Sequence, residues 1–188
     1  MNDKLDDIIK LIDKALLSAD KINIAIDGKA ASGKTTLAKQ LSEIYDCNVI
    51  HMDDFFLPTE LRTEERYARP GGNVHYERFQ QEVIAGLKKQ EAFSYKIFDC
   101  SLMSYSKEVT VVPKKINIIE GCYCLHPYFD DIYNIKIFSS ISPEEQRKRI
   151  LIRNGEAMYK RFAELWIPME NRYFDYYNIM DKCQLALH

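Results

Sequence analysis

The run Gly28-Lys29-Ala30-Ala31-Ser32-Gly33-Lys34-Thr35 has the residue types and spacing needed to hold a chain of phosphates. Its glycines let backbone N–H groups turn inward around an anion, Lys34 brings a positive charge to the outer oxygens, and Thr35 offers a hydroxyl to Mg2+. ATP with Mg2+ is the expected ligand, contacted by Gly28, Ala30, Ala31, Ser32, Gly33, Lys34, Thr35 and the next residue, Thr36. Asp53-Asp54 supplies two carboxylates after a short apolar run. Beside bound phosphates they could take the proton of an attacking hydroxyl and hold water on the metal, both of which phosphoryl transfer needs. A solvated turn is the plainer reading of the same pair. Glu120 closes a second apolar run where an acid on the metal side belongs, so Thr35, Glu120 and Asp53 form the expected metal set. Arg147, Arg149, Arg153 and Arg161 read on composition as a solvated helix face. Arg149 and Arg153 are one helical turn apart and could also reach the same phosphates.

These residues need a scaffold that brings separate segments to one edge. Ile22, Ile24 and Ile26 make a short β-branched strand ending at Asp27-Gly28, and the helical pattern Leu37, Leu41, Ile44 follows the glycine turn. Residues 48–52 read as a strand with Asp53 the first residue beyond it, facing the phosphates, and Asp54 pointing away in an extended continuation. A helix is expected over 75–89, a β-hairpin over 93–98 and 108–112, and strands over 116–119 and 132–138. Ser142-Pro143-Glu144-Glu145 is a capping box that opens another helix, and a helix over 157–177 and a strand near 183–187 finish the chain. Strands alternating with helices predict an α/β fold with a mostly parallel sheet covered on both faces, whose ligands bind at the carboxyl ends of the strands. Leu5, Ile8, Ile9, Ile12 and Leu16 place an amphipathic helix within residues 1–20, ahead of a single domain over 21–188.

The bulk properties exclude several classes. The 188 residues suffice for one core, and a net charge of -2 with dispersed basic residues gives no footprint for nucleic acid or an anionic membrane. No run approaches the roughly 20 apolar residues of a membrane span, and acids interrupt the first twenty residues, unlike a signal peptide. The five cysteines are odd in number and sit mostly in apolar segments, as reduced cytoplasmic thiols do. Cys122 and Cys124 lack the second pair a zinc site needs. His51 and His75 read as structural rather than as ligands. A small hydroxyl compound is the expected partner, and self-association is left open.

With these residues placed, the chain resembles the uridine kinase and phosphoribulokinase branch of P-loop kinases over roughly residues 21–187. The similarity rests on Ile24-Ala25-Ile26-Asp27-Gly28 leading into the loop, on His51-Met52-Asp53-Asp54-Phe55-Phe56, and on Ile119-Glu120-Gly121. It implies a P-loop NTPase fold with a small hairpin and a short lid, and an ATP-dependent phosphotransferase with an alcohol acceptor, plausibly a nucleoside such as uridine. In that branch the acid after the second strand is the base, which corresponds to Asp53; Asp54 stands where Ser or Gly is common. Phe98-Asp99-Cys100 resembles a Tyr-Asp motif that contacts the nucleoside. Asn73-Val74-His75-Tyr76 falls where an Asp contacts the ribose. The resemblance thus implies acceptor contacts at Asp54, Asn73, His75, Tyr76 and Asp99, with catalytic roles for Lys34, Asp53 and the lid arginines Arg149 and Arg153. Ile150 replaces an adjacent arginine, the lid lacks Arg-Gly-Arg, and Arg69-Pro70-Gly71-Gly72-Asn73 stands in place of a recognisable base-binding set. Pantothenate, glycerate and nicotinamide riboside therefore stay open as acceptors, as does a nucleotide-dependent regulatory switch.

Overall fold

The computed structural model describes residues 2–129 and 131–188. Five parallel strands form the central sheet in the order β2 (Cys47–His51), β5 (Ile116–Glu120), β1 (Ile22–Gly28), β6 (Ile135–Ser139), β7 (Leu185–Leu187). The alternation of strand residues assigns each face its own core. Ile22, Ile24, Ile26, Ile118 and Ile137 point to one side, where Ile8 and Ile12 of α1 (Asn2–Leu16) and Ala38 and Leu41 of α2 (Lys34–Ile44) cover them. Ala25, Ile119 and Phe138 point to the other, under Phe55, Phe79 and Tyr173. The N-terminal helix is thus packed into the same core as the strands, and Tyr45 after α2 donates to Asp13 of α1 at 2.8 Å.

At the amino ends of the strands three asparagines at one register level join side chain to side chain. Asn48 of β2 donates to Asn117 of β5 at 2.8 Å, and Asn117 donates to Asn23 of β1 at 3.0 Å. The carboxyl ends carry Asp27-Gly28, His51, Glu120 and Ser139, so the predicted α/β class and parallel sheet are what the chain forms.

Several boundaries differ from the sequence reading. The second strand ends at His51, and Met52–Phe55 is a 3-10 turn, because Met52 and Phe55 are both drawn into the core and an extended chain would send them to opposite faces. The expected helix over 75–89 is a run of α4 (Tyr76–Phe79), a π-helical turn (Gln80–Ile84) and α5 (Ala85–Lys89). A short helix α3 (Glu64–Ala68), which the sequence reading left out, is capped by Thr63, whose hydroxyl accepts from Arg66 N–H. The hairpin is β3 (Phe93–Asp99) with β4 (Ser104–Val111). After the capping-box residue Ser142, α6 (Pro143–Arg161) runs through both expected lid arginines, Arg149 and Arg153, and breaks only at Gly155, with φ 79° and ψ 173°. A π-helical turn (Phe162–Trp166) leads into α7 (Ile167–Tyr177). The lid segment is therefore helical on both sides of one glycine.

An aromatic column ties α4 to α7. Tyr76 stacks on His126 with ring centroids 4.5 Å apart, His126 lies parallel to Tyr173 at 6.0 Å, and the Arg66 guanidinium caps the far face of the column 3.8 Å from the Tyr76 centroid. Gly71, with φ 74°, passes so close to His126 that a Cβ would lie 2.5 Å from the ring. Arg66 also bonds the Gly72 and Val74 carbonyls and pairs with Glu77. The segment Arg69 to Asn73 is thereby shaped by this buttress. Burial lowers the His126 pKa to about 4. Between that value and the ordinary 6.5 the unfolded chain holds the extra proton, so stability is complete above about pH 6.5 and falls as pH drops through the window. Urea unfolding should show a loss of up to about 3 kcal/mol attributable to this ring on going from pH 7 to pH 4. His126→Gln should lose less than the wild type over the same interval; equal losses would remove His126 as the source.

Candidate active site

The glycine-rich loop Gly28 to Thr35 starts where β1 ends, and its shape follows from two close constraints. A Cβ on Gly28 would lie 2.0 Å from the Ser139 carbonyl oxygen, so only glycine lets β1 and β6 run this close. Ala31 at φ 59° and Gly33 at φ 98° then turn the backbone back on itself into α2. Lys34 is buried and donates to the Gly28 and Lys29 carbonyls, both at 2.8 Å, which bends its ammonium over the loop's own entrance. Thr35 and Thr36 are exposed at the first turn of α2.

Glu120 is 4% exposed and sits at the centre of the acid cluster. One of its oxygens accepts from the Thr35 hydroxyl at 3.0 Å and lies 2.6 Å from His51 Nδ1. That hydrogen bond raises the His51 pKa, against the opposing effect of burial. His51, read from sequence as structural, is thus bonded directly to the acid of the expected metal set. Asp53 is exposed in the 3-10 turn that follows β2. Desolvation by the surrounding protein raises its pKa, Lys34 and His51 pull it down, and Glu120 and Asp54 push it further up. Asp54 faces the hairpin: its carboxylate accepts from the Tyr95 hydroxyl at 3.2 Å, and its carbonyl accepts from Arg78 at 2.8 Å. The two acids diverge, as the sequence reading expects, but through a 3-10 turn and not an extended alternation. Among the described residues no three His, Cys, Asp or Glu side chains converge into a metal cage. A Thr hydroxyl beside two acids, open toward a phosphate loop, nevertheless fits Mg2+, which keeps water and substrate phosphates among its ligands.

The remaining expected residues are distributed unevenly. Arg149 reaches the loop, donating to the Ala31 carbonyl at 3.3 Å while Glu145 holds its Nε at 2.9 Å. Arg153 instead bonds its neighbour Asn154 in an exposed position. Asn73 is buried beside Tyr123, and its Oδ1 atom has no hydrogen-bond partner among the described residues. His75 Nδ1 is likewise buried without one, and burial lowers the His75 pKa. Tyr76 is committed to the aromatic column. One Asp99 oxygen accepts from Ser101 N–H, Ser101 hydroxyl and Leu102 N–H, so this acid caps the hairpin turn.

Two acids outside the sequence-based set hold the site in place. Asp27 is fully buried and accepts from Gly28 N–H (2.7 Å), Tyr123 N–H (3.1 Å), Leu125 N–H (3.0 Å) and the Tyr173 hydroxyl (2.8 Å). Burial raises its pKa, and these donors, with Lys34, draw it back. Glu170 of α7 accepts from Ala30 N–H at 2.9 Å. Burial lifts its carboxyl to about 7, against the pull of Lys34 and the Ala30 N–H. Each has a visible sequence signal: an acid ending an apolar strand, and a Glu among Met169, Tyr173 and Phe174 on the buried face of a helix.

The fold is α/β, with a parallel five-stranded sheet and the loop Gly28 to Thr35 between β1 and α2. No protein-family model matches the chain, and no curated protein matches it. Among solved structures it is similar to one from Bacillus stearothermophilus described as a "possible uridine kinase", with a TM-score of 0.70 and 20% identity over 98% of this chain and 100% of that one. It is also similar to YFH7 from Saccharomyces cerevisiae, a candidate P-loop-containing kinase with a circular permutation, at a TM-score of 0.65 and 14% identity over 100% and 98% of the two chains. TT1252 from Thermus thermophilus matches at 0.51 and 14% over 89% and 88%.

Tyr173→Phe keeps the ring and removes one donor from the Asp27 carboxylate. Hydrogen bonds to charged groups contribute about 1.5–3 kcal/mol, so chemical unfolding should show a loss in that range. A loss below about 0.5 kcal/mol would mean that the other three donors satisfy Asp27 alone.

Proposed function

We propose that the protein is an ATP-dependent kinase that transfers the γ-phosphoryl group to a hydroxyl of a small molecule. The observation that carries this reading is the convergence of Lys34, Thr35 and Glu120 at the loop with Asp53 beside them, since these are the charges that phosphoryl transfer requires around one point. The loop amides and Lys34 bind the phosphates. Thr35, with Glu120 and Asp53 through water, would hold Mg2+, which when bound neutralises charge on the phosphate oxygens.

Asp53 is the group that takes the proton from the attacking hydroxyl. Its position near Lys34, and the engagement of Asp54 by Tyr95, support that role. Arg149 sits close enough to the loop to meet charge growing on the phosphates. A nucleoside is the acceptor class favoured by the resemblance to uridine kinases, with Asp54, held at the hairpin by Tyr95, on the acceptor side. The arrangement works without a covalent intermediate, by positioning and charge neutralisation.

The test is a screen of nucleosides and small hydroxyl metabolites with MgATP, read by the mass of the phosphorylated product. ADP released only when an acceptor is present supports a kinase; the same rate without one supports a regulatory ATPase. Lys34→Ala should depress turnover by several orders of magnitude while the chain stays folded. In single-turnover experiments with the acceptor found, Asp53→Asn should cost about 10²- to 10⁴-fold in the chemical step and leave MgATP binding measurable. Asp54→Asn should act mainly on acceptor affinity. The reverse ranking would assign the base to Asp54.

A further inference from the structure

Ala30, in the middle of the phosphate loop, has both of its peptide groups held by side chains from outside the loop. Its N–H donates to Glu170 of α7 at 2.9 Å, and its carbonyl accepts from Gln146 Nε2 of α6 at 2.9 Å. Both side chains are buried, at 7% and 5% exposure, where a polar group persists only with a partner. These bonds fix two consecutive peptide planes. The plane that carries the Ala30 carbonyl also carries the Ala31 N–H, and in a trans peptide the two point in opposite directions. Gln146 therefore aims the Ala31 N–H away from α6. Ala31 itself is held at φ 59°, a conformation that an alanine adopts only when its surroundings impose it.

We propose that Glu170 and Gln146 are positioning residues for the nucleotide phosphates: acting on the two sides of Ala30, they set the direction in which the loop presents its amides. The inference rests on the kinase reading of this loop. It extends that reading to residues that touch no substrate. In the chain the two are separated by the break of α6 at Gly155, so they reach Ala30 from separate helical segments.

The experiment measures binding of Mg2+ with a non-hydrolysable ATP analogue by calorimetry, and steady-state kinetics, for wild type, Glu170→Gln, Glu170→Ala, Gln146→Ala and the double alanine variant. Binding by the wild type checks the kinase reading separately, since its absence would sink that reading and with it the premise here. Given binding, Glu170→Ala and Gln146→Ala should each raise Kd about tenfold, with the change appearing in KM for ATP and not in KM for the acceptor, because an unsatisfied buried peptide group lets the loop relax. Glu170→Gln retains an oxygen for the Ala30 N–H and should stay within about threefold of wild type. The double variant should lose less than the product of the single losses, since both act on one residue. If both alanine variants bind within twofold of wild type, if Glu170→Gln is as impaired as Glu170→Ala, or if the losses multiply fully, the proposal is overturned. Should Glu170→Ala fail to fold, Gln146→Ala and Glu170→Gln still decide it by the same criteria.

Discussion

A carboxylate with no access to water sits at the end of β1, and the rest of the site is arranged around satisfying it. Asp27 takes donors from the loop that follows it, from the turn after β5 and from Tyr173 of α7. An ionised group in such a place is stable only when its hydrogen bonds are complete. Completing them forces the phosphate loop, the Glu120-Gly121 turn and α7 to meet at one point. Gly121 is drawn in so far that a Cβ there would lie 2.8 Å from Met52 Cβ, which brings the Asp53-Asp54 turn into the same assembly. The geometry that brings Lys34, Thr35, Glu120 and Asp53 together is therefore a consequence of burying one acid.

The parts legible in the sequence are those governed by local rules. The loop motif, the apolar strands and the cap at Ser142 each depend on residues within a few positions of one another, and each forms close to its expected place, although the strand expected over 132–138 begins only at Ile135. The second strand was displaced by one residue because Met52 is apolar and reads as strand, whereas the burial of both Met52 and Phe55 curls the chain into a 3-10 turn. His51, Glu170 and Gln146 were not legible as site residues, because their partners lie 69, 140 and 116 positions away in the chain. Asp99 illustrates the opposite failure: its motif neighbours suggest a ligand contact, while the turn it initiates takes three bonds to one of its oxygens.

The stretch from the middle of α6 to the start of α7 holds two kinds of helical irregularity. Gly155 interrupts the α-helix outright, and the π-helical turn at Phe162–Trp166 adds a residue to the winding just before the proline of α7. Arg161 lies over the Trp166 ring at 5.2 Å and Arg147 over Tyr159 at 5.4 Å, so aromatic faces rather than carboxylates hold these two cations. Cations held on ring faces in this way can move without leaving a buried carboxylate unpaired.

The asparagine row at the amino ends of β2, β5 and β1 acts on the site from the far side of the sheet. Asn48 donates to Asn117 and to the Val112 carbonyl, Asn117 donates on to Asn23, and Asn23 donates to the Ile132 carbonyl, so sliding any one strand by a residue would turn its amide to the opposite face and break the row. Apolar strands alone tolerate such slips poorly but do not forbid them, since one isoleucine replaces another. The row works as a vernier: identical marks on three rules that coincide at one setting. At that setting, and at no other, Asp27 and Glu120 come to the opposite edge of the sheet in step.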